Sequence, residues 1–146
     1  MSEALLDVNL LIAAVVENHA DHDHGRAVKF LETLDRFYTT PTTQGGFLRF
    51  LTRPWKDEQR REQPPRLAVA DALATLRDVT HWPQHAFLPD DEPFTGVSLQ
   101  SMSGHRQWTD AYLMRLARMH GLKFATLERK LDNMEDRNAP VLLLVR

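Results

Sequence analysis

Short apolar runs alternate along this chain with segments of helical periodicity, and that alternation narrows its fold more than any other feature. Ala4-Leu5-Leu6, Phe37-Tyr38-Thr39, His85 to Leu88, Lys123 to Thr126 and Val141 to Val145 read as strands, being brief and rich in apolar, aromatic or β-branched residues. Between them apolar residues recur at helical spacing. Leu10, Ala13, Ala14 and Glu17 continue one helix, and Ala27, Phe30, Leu31 and Leu34 share a face of a second from His22 to Leu34. Pro41 closes the second strand before a helix from Thr43 to Leu51, which ends at Thr52-Arg53-Pro54 because proline disfavours helix in the residue before it. Lys56 to Pro65 reads as a polar connection, Leu67 to Leu76 as a helix, and Pro89-Asp90-Asp91-Glu92-Pro93 as an acidic turn. In the helix from Thr109 to His120, Ala111, Leu113, Leu116 and Ala117 lie inward, and Gly121 is placed to end it. Strands separated by helices of about ten residues pair in parallel, so the expected fold is a three-layer α/β/α arrangement with a central parallel sheet of about 4–5 short strands. The last run, apolar throughout, reads as a strand buried on both faces.

Composition restricts the chemistry. A chain of 146 residues without repeats or a Gly- or Pro-rich linker fits one domain spanning 1–146. Its 42% hydrophobic and 26% charged residues are those of a folded chain. No apolar run reaches the roughly 18 residues of a membrane span, and MSEALLDVNLL lacks a basic leader, so the expected location is the cytoplasm. The absence of cysteine excludes disulfides, a thiolate nucleophile and thiolate-held metals, leaving carboxylates, histidines and hydroxyls. A net charge of −2 argues against a globally basic nucleic-acid binder and leaves room for a local basic face.

In a parallel sheet, ligands bind beyond the carboxyl ends of the strands. Asp7 follows the first strand, with Asn9 beside it; Glu128 follows the Lys123–Thr126 strand, and Asp110 opens the helix leading into that strand. Unpaired carboxylates gathered there would repel one another, a conflict that Mg²⁺ or Mn²⁺ with their preference for oxygen ligands would resolve. Each acid also has a purely structural reading. Asp7 is a favourable cap for the first helix, Asp110 complements a helix dipole behind a Thr109 cap, and Glu128 is a solvated charge beside Lys130 or Lys123. Arg115, Arg118, Lys123, Arg129 and Lys130 make either a solvated face or a track for an RNA backbone. Trp55, Trp82 and Trp108 read as core or partner contacts, with base stacking as a further reading for Trp108. The run from Asn18 to His24 invites a zinc site but reads better as a solvated turn, with Asp21 or Asp23 capping the second helix. Gly45-Gly46 lacks the lysine of a phosphate loop and reads as close helix packing or as space beside a metal.

Four segments, LLDVNLL, PTTQGGFLRFLTRP, HRQWTDAYLMRLARMHG and KFATLERKL, in this order and spanning nearly the whole chain, resemble a PIN domain of the type found in VapC ribonuclease toxins of bacterial toxin–antitoxin pairs. The resemblance implies divalent-metal-dependent cleavage of RNA, a cognate VapB-type antitoxin and a homodimer. It implies Asp7 and Asp110 as ligands of Mg²⁺ or Mn²⁺, and Glu128, where the family usually has aspartate, as a third catalytic acid. Gln44 falls where many members carry a glutamate, which weakens the acidic site by one charge. Asn9, Gln44, Thr109 and Arg129 are the implied supporting or substrate-facing residues. Two readings stand beside this one: a PIN-like module without catalysis or serving RNA processing without an antitoxin, and a receiver-type regulator, whose order of phosphoacceptor and lysine the chain does not match.

Overall fold

The apolar runs pair as their alternation requires. The computed structural model describes residues 2–17, 23–99, 102 and 104–146. The elements run β1 (Glu3–Leu6), α1 (Val8–Val15), α2 (Asp23–Glu32), β2 (Arg36–Thr39), α3 (Pro41–Thr52), β3 (Trp55–Lys56), β4 (Glu62–Gln63), α4 (Val69–Thr80), β5 (His85–Phe87), α5 (Trp108–Met119), β6 (Lys123–Thr126) and β7 (Leu142–Leu144). Five strands form one sheet in the order β5-β2-β1-β6-β7, with every neighbouring pair parallel.

Side-chain alternation along the strands divides the core into two layers. Ala4, Leu6, Phe37 and Ala125 face α1, α2, α3 and α4, whereas Leu5 and Phe124 face α5 and the turn around Leu131. Leu5, Leu6, Leu10, Leu11, Leu113 and Leu116 are fully buried, each contributing roughly 2 kcal/mol of transfer free energy. β7 differs from its expectation. As an edge strand it leaves Leu142, Leu143 and Leu144 only partly covered. Its start is held by the buried Glu135 carboxylate, which accepts the Val141 and Leu142 amides at 3.1 and 2.7 Å.

Several boundaries moved for local reasons. α1 ends at Val15, leaving Glu17 beyond it, and α4 runs on to Thr80. Pro41 is the first residue of α3, where its missing N–H is harmless, and Thr40 caps the helix by accepting the Thr43 amide at 3.1 Å. Gly121 ends α5 with φ +66°, letting the Leu122 amide reach the Ala117 carbonyl at 2.8 Å. The stretch from Lys56 to Pro65 contains the antiparallel β3–β4 hairpin, closed by the Asp57 carboxylate, which accepts from the Arg61 amide and side chain at 2.9 Å and from Gln63 at 3.0 Å. The acidic turn is anchored: Asp90 accepts the Thr42 amide, Asp91 faces His120 at 2.8 Å and Glu92 faces Arg115 at 3.1 Å. Of the histidine-rich stretch, Asn18 to His22 lie outside the described residues; Asp23 pairs with Arg26, and His24 turns Nδ1 to the Ala13 carbonyl at 2.8 Å.

Trp82 packs edge-on against Phe37 at 6.0 Å, and Trp55 covers the Arg66 guanidinium at 4.3 Å, so both serve packing. Gly46 sets how closely α3 approaches α1. A Cβ there would lie 2.8 Å from Val8 Cγ2, in the residue next to Asp7. Gly46→Ala should therefore destabilise the protein by about 1–3 kcal/mol in urea unfolding, and adding Val8→Ala should recover part of the loss. An unchanged midpoint in the single variant would contradict this close approach.

Candidate active site

Strand register explains why the acids meet. β1 pairs with β6 so that Leu6 lies beside Ala125, and the Asp7 amide extends the ladder to the Ala125 carbonyl at 2.9 Å. Asp7 therefore comes level with Thr126. By alternation both follow Leu5 and Phe124 onto the α5 side of the sheet, where Asp110 sits in the first turn of α5. The chain then carries Glu128 just past β6.

Asp7 is buried, at 5% exposure, and both its oxygens are held. Oδ1 accepts the Val8 amide at 2.7 Å and Oδ2 accepts the Thr126 hydroxyl at 2.6 Å. The capping reading is thus correct as far as it goes, since Asp7 is the N-cap residue of α1. Burial nevertheless lifts its pKa to about 6, against the pull of those two hydrogen bonds and with added repulsion from Glu128. Asp110 is pushed up to about 7, by burial first and then by the charges of Asp7 and Glu128. Among the described residues, the groups acting on these two acids include no cation.

Glu128 is exposed and accepts the Lys130 amide at 3.0 Å, so it caps the following turn and pairs with neither lysine ammonium. Asn9 reaches Asp7 only through Thr126: its Nδ2 donates to the Thr126 hydroxyl at 3.4 Å, and its Oδ1 accepts the Leu127 amide at 3.4 Å. Thr109 is exposed and is not the cap of α5, which begins one residue earlier behind Gln107. Gln44 donates its amide nitrogen to Thr39 at 3.0 Å and makes no hydrogen bond to Asp7 or Asp110. Arg129 and Lys130 are exposed beside Glu128, whereas Arg118 and Lys123 lie elsewhere. They hold the Ala139 and Pro140 carbonyls at the opposite end of β6, roughly 10 Å from Thr126 by strand rise, and Arg115 is occupied by Glu92. The five basic residues therefore do not make one face. Trp108 is 44% exposed and lies edge-on to Phe94, which stacks on Tyr112 at 4.5 Å.

Thr126 is the site residue that sequence reading passed over. It was visible only as the end of a strand, and the spacing Thr-x-Glu, which puts a hydroxyl level with Asp7, was its one signal.

The donor set suits a hard divalent cation in kind: carboxylate oxygens, buried at Asp7 and half-buried at Asp110, that repel one another. Among the described residues, no three acidic or histidine side chains form a ready-made metal cage. Two carboxylates with water in the rest of the shell is the kind of site Mg²⁺ takes, and Asp7 and Asp110 are the residues that would hold it. A cavity of about 740 Å³ lined by Val15, Leu51, Trp55 and Arg66 lies where α1 and α3 end, away from these acids.

The sequence pattern of the PIN domain matches residues 4–136. Ribonuclease VapC29 of Mycobacterium tuberculosis is 40% identical over 131 residues, covering 89% of each chain. Two solved structures share the fold at low identity. One is M. tuberculosis VapC20, described as a sarcin–ricin loop cleaving toxin, with a TM-score of 0.58, 14% identity and coverage of 91% of this chain and 93% of that one. The other is VapBC2 of Rickettsia felis, bound to a promoter DNA fragment, with a TM-score of 0.58, 10% identity and coverage of 97% and 96%. With its parallel sheet carrying Asp7, Asp110 and Glu128 at one end, the chain belongs to the PIN-domain family, in its VapC ribonuclease branch.

Proposed function

We propose that this chain is the ribonuclease toxin of a VapBC-type pair, hydrolysing RNA phosphodiester bonds with Mg²⁺ or Mn²⁺ held by Asp7 and Asp110. The observation that carries the reading is that buried Asp7 and half-buried Asp110 meet at one end of the sheet and are pushed up to about 6 and about 7, with no cation among the described residues acting on them. Such an arrangement destabilises the protein, and perturbed groups of this kind mark functional sites.

When bound there, a divalent ion supplies polarisation of a phosphodiester oxygen and a lowered pKa for an attacking water. The protein supplies position. The Val8 amide and the Thr126 hydroxyl fix both Asp7 oxygens, so the carboxylate is held in one orientation. Asn9 braces Thr126 and the Leu127 amide, which keeps the strand end from shifting. Glu128, exposed just past β6, would complete the metal's shell directly or through water, and Arg129 beside it would meet a backbone phosphate. The VapC relationship supports a VapB-type antitoxin as partner and a second copy of the chain as a homodimer. No helix among the described residues is long and apolar enough to cross a membrane.

Purified protein incubated with transfer, ribosomal and messenger RNA should cleave with Mn²⁺ or Mg²⁺ and not in EDTA. Expression alone should arrest growth, and co-expression of a neighbouring small reading frame should relieve the arrest. No cleavage of any of these RNAs at any metal concentration would favour a binding module instead.

A further inference from the structure

Where α1 and α3 end, an arginine stands in an apolar cavity without an acceptor. Val15, Val16, Leu51, Pro65 and Leu67 line a space of about 740 Å³, and the half-buried Arg66 lines it with them. The Phe50 and Trp55 ring centroids each lie 4.3 Å from Arg66 Cζ. Rings over a guanidinium cover its faces and take none of its N–H groups, which project in its plane. Those groups go unclaimed. Arg66 Nη1 is shielded from solvent and has no hydrogen-bond partner. Of the two acids lining the cavity, Asp57 is held by Arg61 and Gln63, and Glu58 forms no ion pair among the described residues. Burial, and after it the charge of Arg53, push the guanidinium below its ordinary range. A buried donor without an acceptor is costly, so an anion entering the cavity would relieve it.

The arginine is also held in place. Pro64 and Pro65 stiffen the backbone before it, and the Leu67 amide after it donates to the Leu51 carbonyl at 3.0 Å, tying the segment to the end of α3. Asp57 closes the hairpin that carries Trp55. A guanidinium positioned before its partner arrives loses little freedom on binding.

Carboxylate and phosphate both match its fork of donors, and the walls decide between them. Apolar side chains with Asp57 and Glu58 beside them would repel the successive phosphates of a nucleic acid, whereas a single carboxylate on an apolar body would bury against them. A space of this size takes far more than one small ion. Arginine and tryptophan are also the residue types that carry binding energy where proteins meet. By helix rise along α1 the cavity lies roughly 12 Å from Asp7, so it is a separate site from the carboxylate pocket.

We propose that this cavity docks an acidic peptide segment of a partner protein, an Asp or Glu of which pairs with the Arg66 guanidinium while its apolar neighbours fill the space at the ends of α1 and α3. This site is independent of the ribonuclease reading.

A random peptide library displayed on phage and panned against the full chain tests it. Recovered peptides should carry an Asp or Glu flanked by apolar residues, and a synthetic copy should shift the Trp55 indole and Arg66 Nε–H resonances on titration. Replacing its acid by the amide, or Arg66→Met, should each weaken binding about 30-fold or more, the scale of a truncated buried charge pair. The two changes together should cost no more than either alone. Without peptide, Arg66→Met should leave the urea midpoint unchanged or raise it, because it keeps the stem against the rings and removes a donor that has no acceptor. Should Arg66→Met fail to fold, Arg66→Lys, which keeps the charge but not the paired donors, should weaken binding about tenfold. No recovered peptide, peptides without an acid, unchanged binding in the Arg66 variants, or a lower midpoint with unchanged binding would overturn the proposal. So would occupation of the cavity by an oligouridine RNA, or by a second copy of the chain, in place of peptides.

Discussion

Asp110→Asn is expected to abolish RNA cleavage, by at least ~100-fold, while leaving the metal-free protein more stable at pH 8. Loss of a residue that merely supports a metal ligand costs about 10–100-fold, so loss of a ligand should exceed that. The gain in stability follows from the same geometry. The Asp110 carboxylate is partly buried, faces Asp7 and Glu128, and makes no hydrogen bond among the described residues. An uncharged amide of the same size removes repulsion and leaves no partner unsatisfied. Asp7→Asn should abolish cleavage as fully but stabilise less. Its two oxygens accept from Val8 and Thr126, and replacing one by NH₂ breaks one of those bonds, at about 1 kcal/mol. Cleavage assays with Mn²⁺ and urea unfolding in EDTA measure the two halves separately. Retained cleavage in both variants would remove the metal assignment, and lower stability in Asp110→Asn would mean that its charge already has a partner.

The second large effect is a pH dependence. Asp7 and Asp110 hold their protons up to about 6 and about 7 in the folded protein, against an ordinary aspartate value of 3.8. Between those limits the folded state binds more protons than the unfolded one, so stability falls as pH rises. The contribution of the pair is fully present below pH 3.8 and is lost as pH rises through about 6 and about 7. The loss amounts to roughly 2–4 kcal/mol for the two together, after allowing for solvent screening at Asp110 and for the coupling between the acids. Other carboxylates impose their own slopes, so the readout is a difference. Between pH 5 and pH 8 in EDTA, which spans a little over half of that titration, wild-type protein should lose about 1–2 kcal/mol more than the Asp7→Asn/Asp110→Asn variant, and Mn²⁺ should restore most of it at pH 8. Parallel pH curves for the two proteins would show that the acids do not share a buried field.

The alternation of short apolar runs with helical segments sufficed to predict a parallel α/β/α fold, because parallel strands need crossover helices whatever the side chains. The same alternation put Asp7 and Glu128 just past strand ends, where such sheets bind ligands. Other features were illegible because they depend on partners distant in the chain. A glycine at position 46 does not announce that Val8 fills the space above it. The scatter of Arg115, Arg118 and Lys123 away from the acids follows from where α5 ends and β6 begins, which charge in a sequence window does not contain. Trp55 and Trp82 read alike in sequence, yet one covers a guanidinium and the other a phenylalanine.

Local pattern thus determined the order of elements, the exclusion of thiol chemistry and the presence of three acids near one edge of the sheet. Only the tertiary structure decided what those acids experience. Register sets Asp7 level with Thr126 across 119 residues of chain, and burial without a cation then drives the carboxylates toward protonation. A pKa belongs to an environment, and an environment exists only once distant segments have packed.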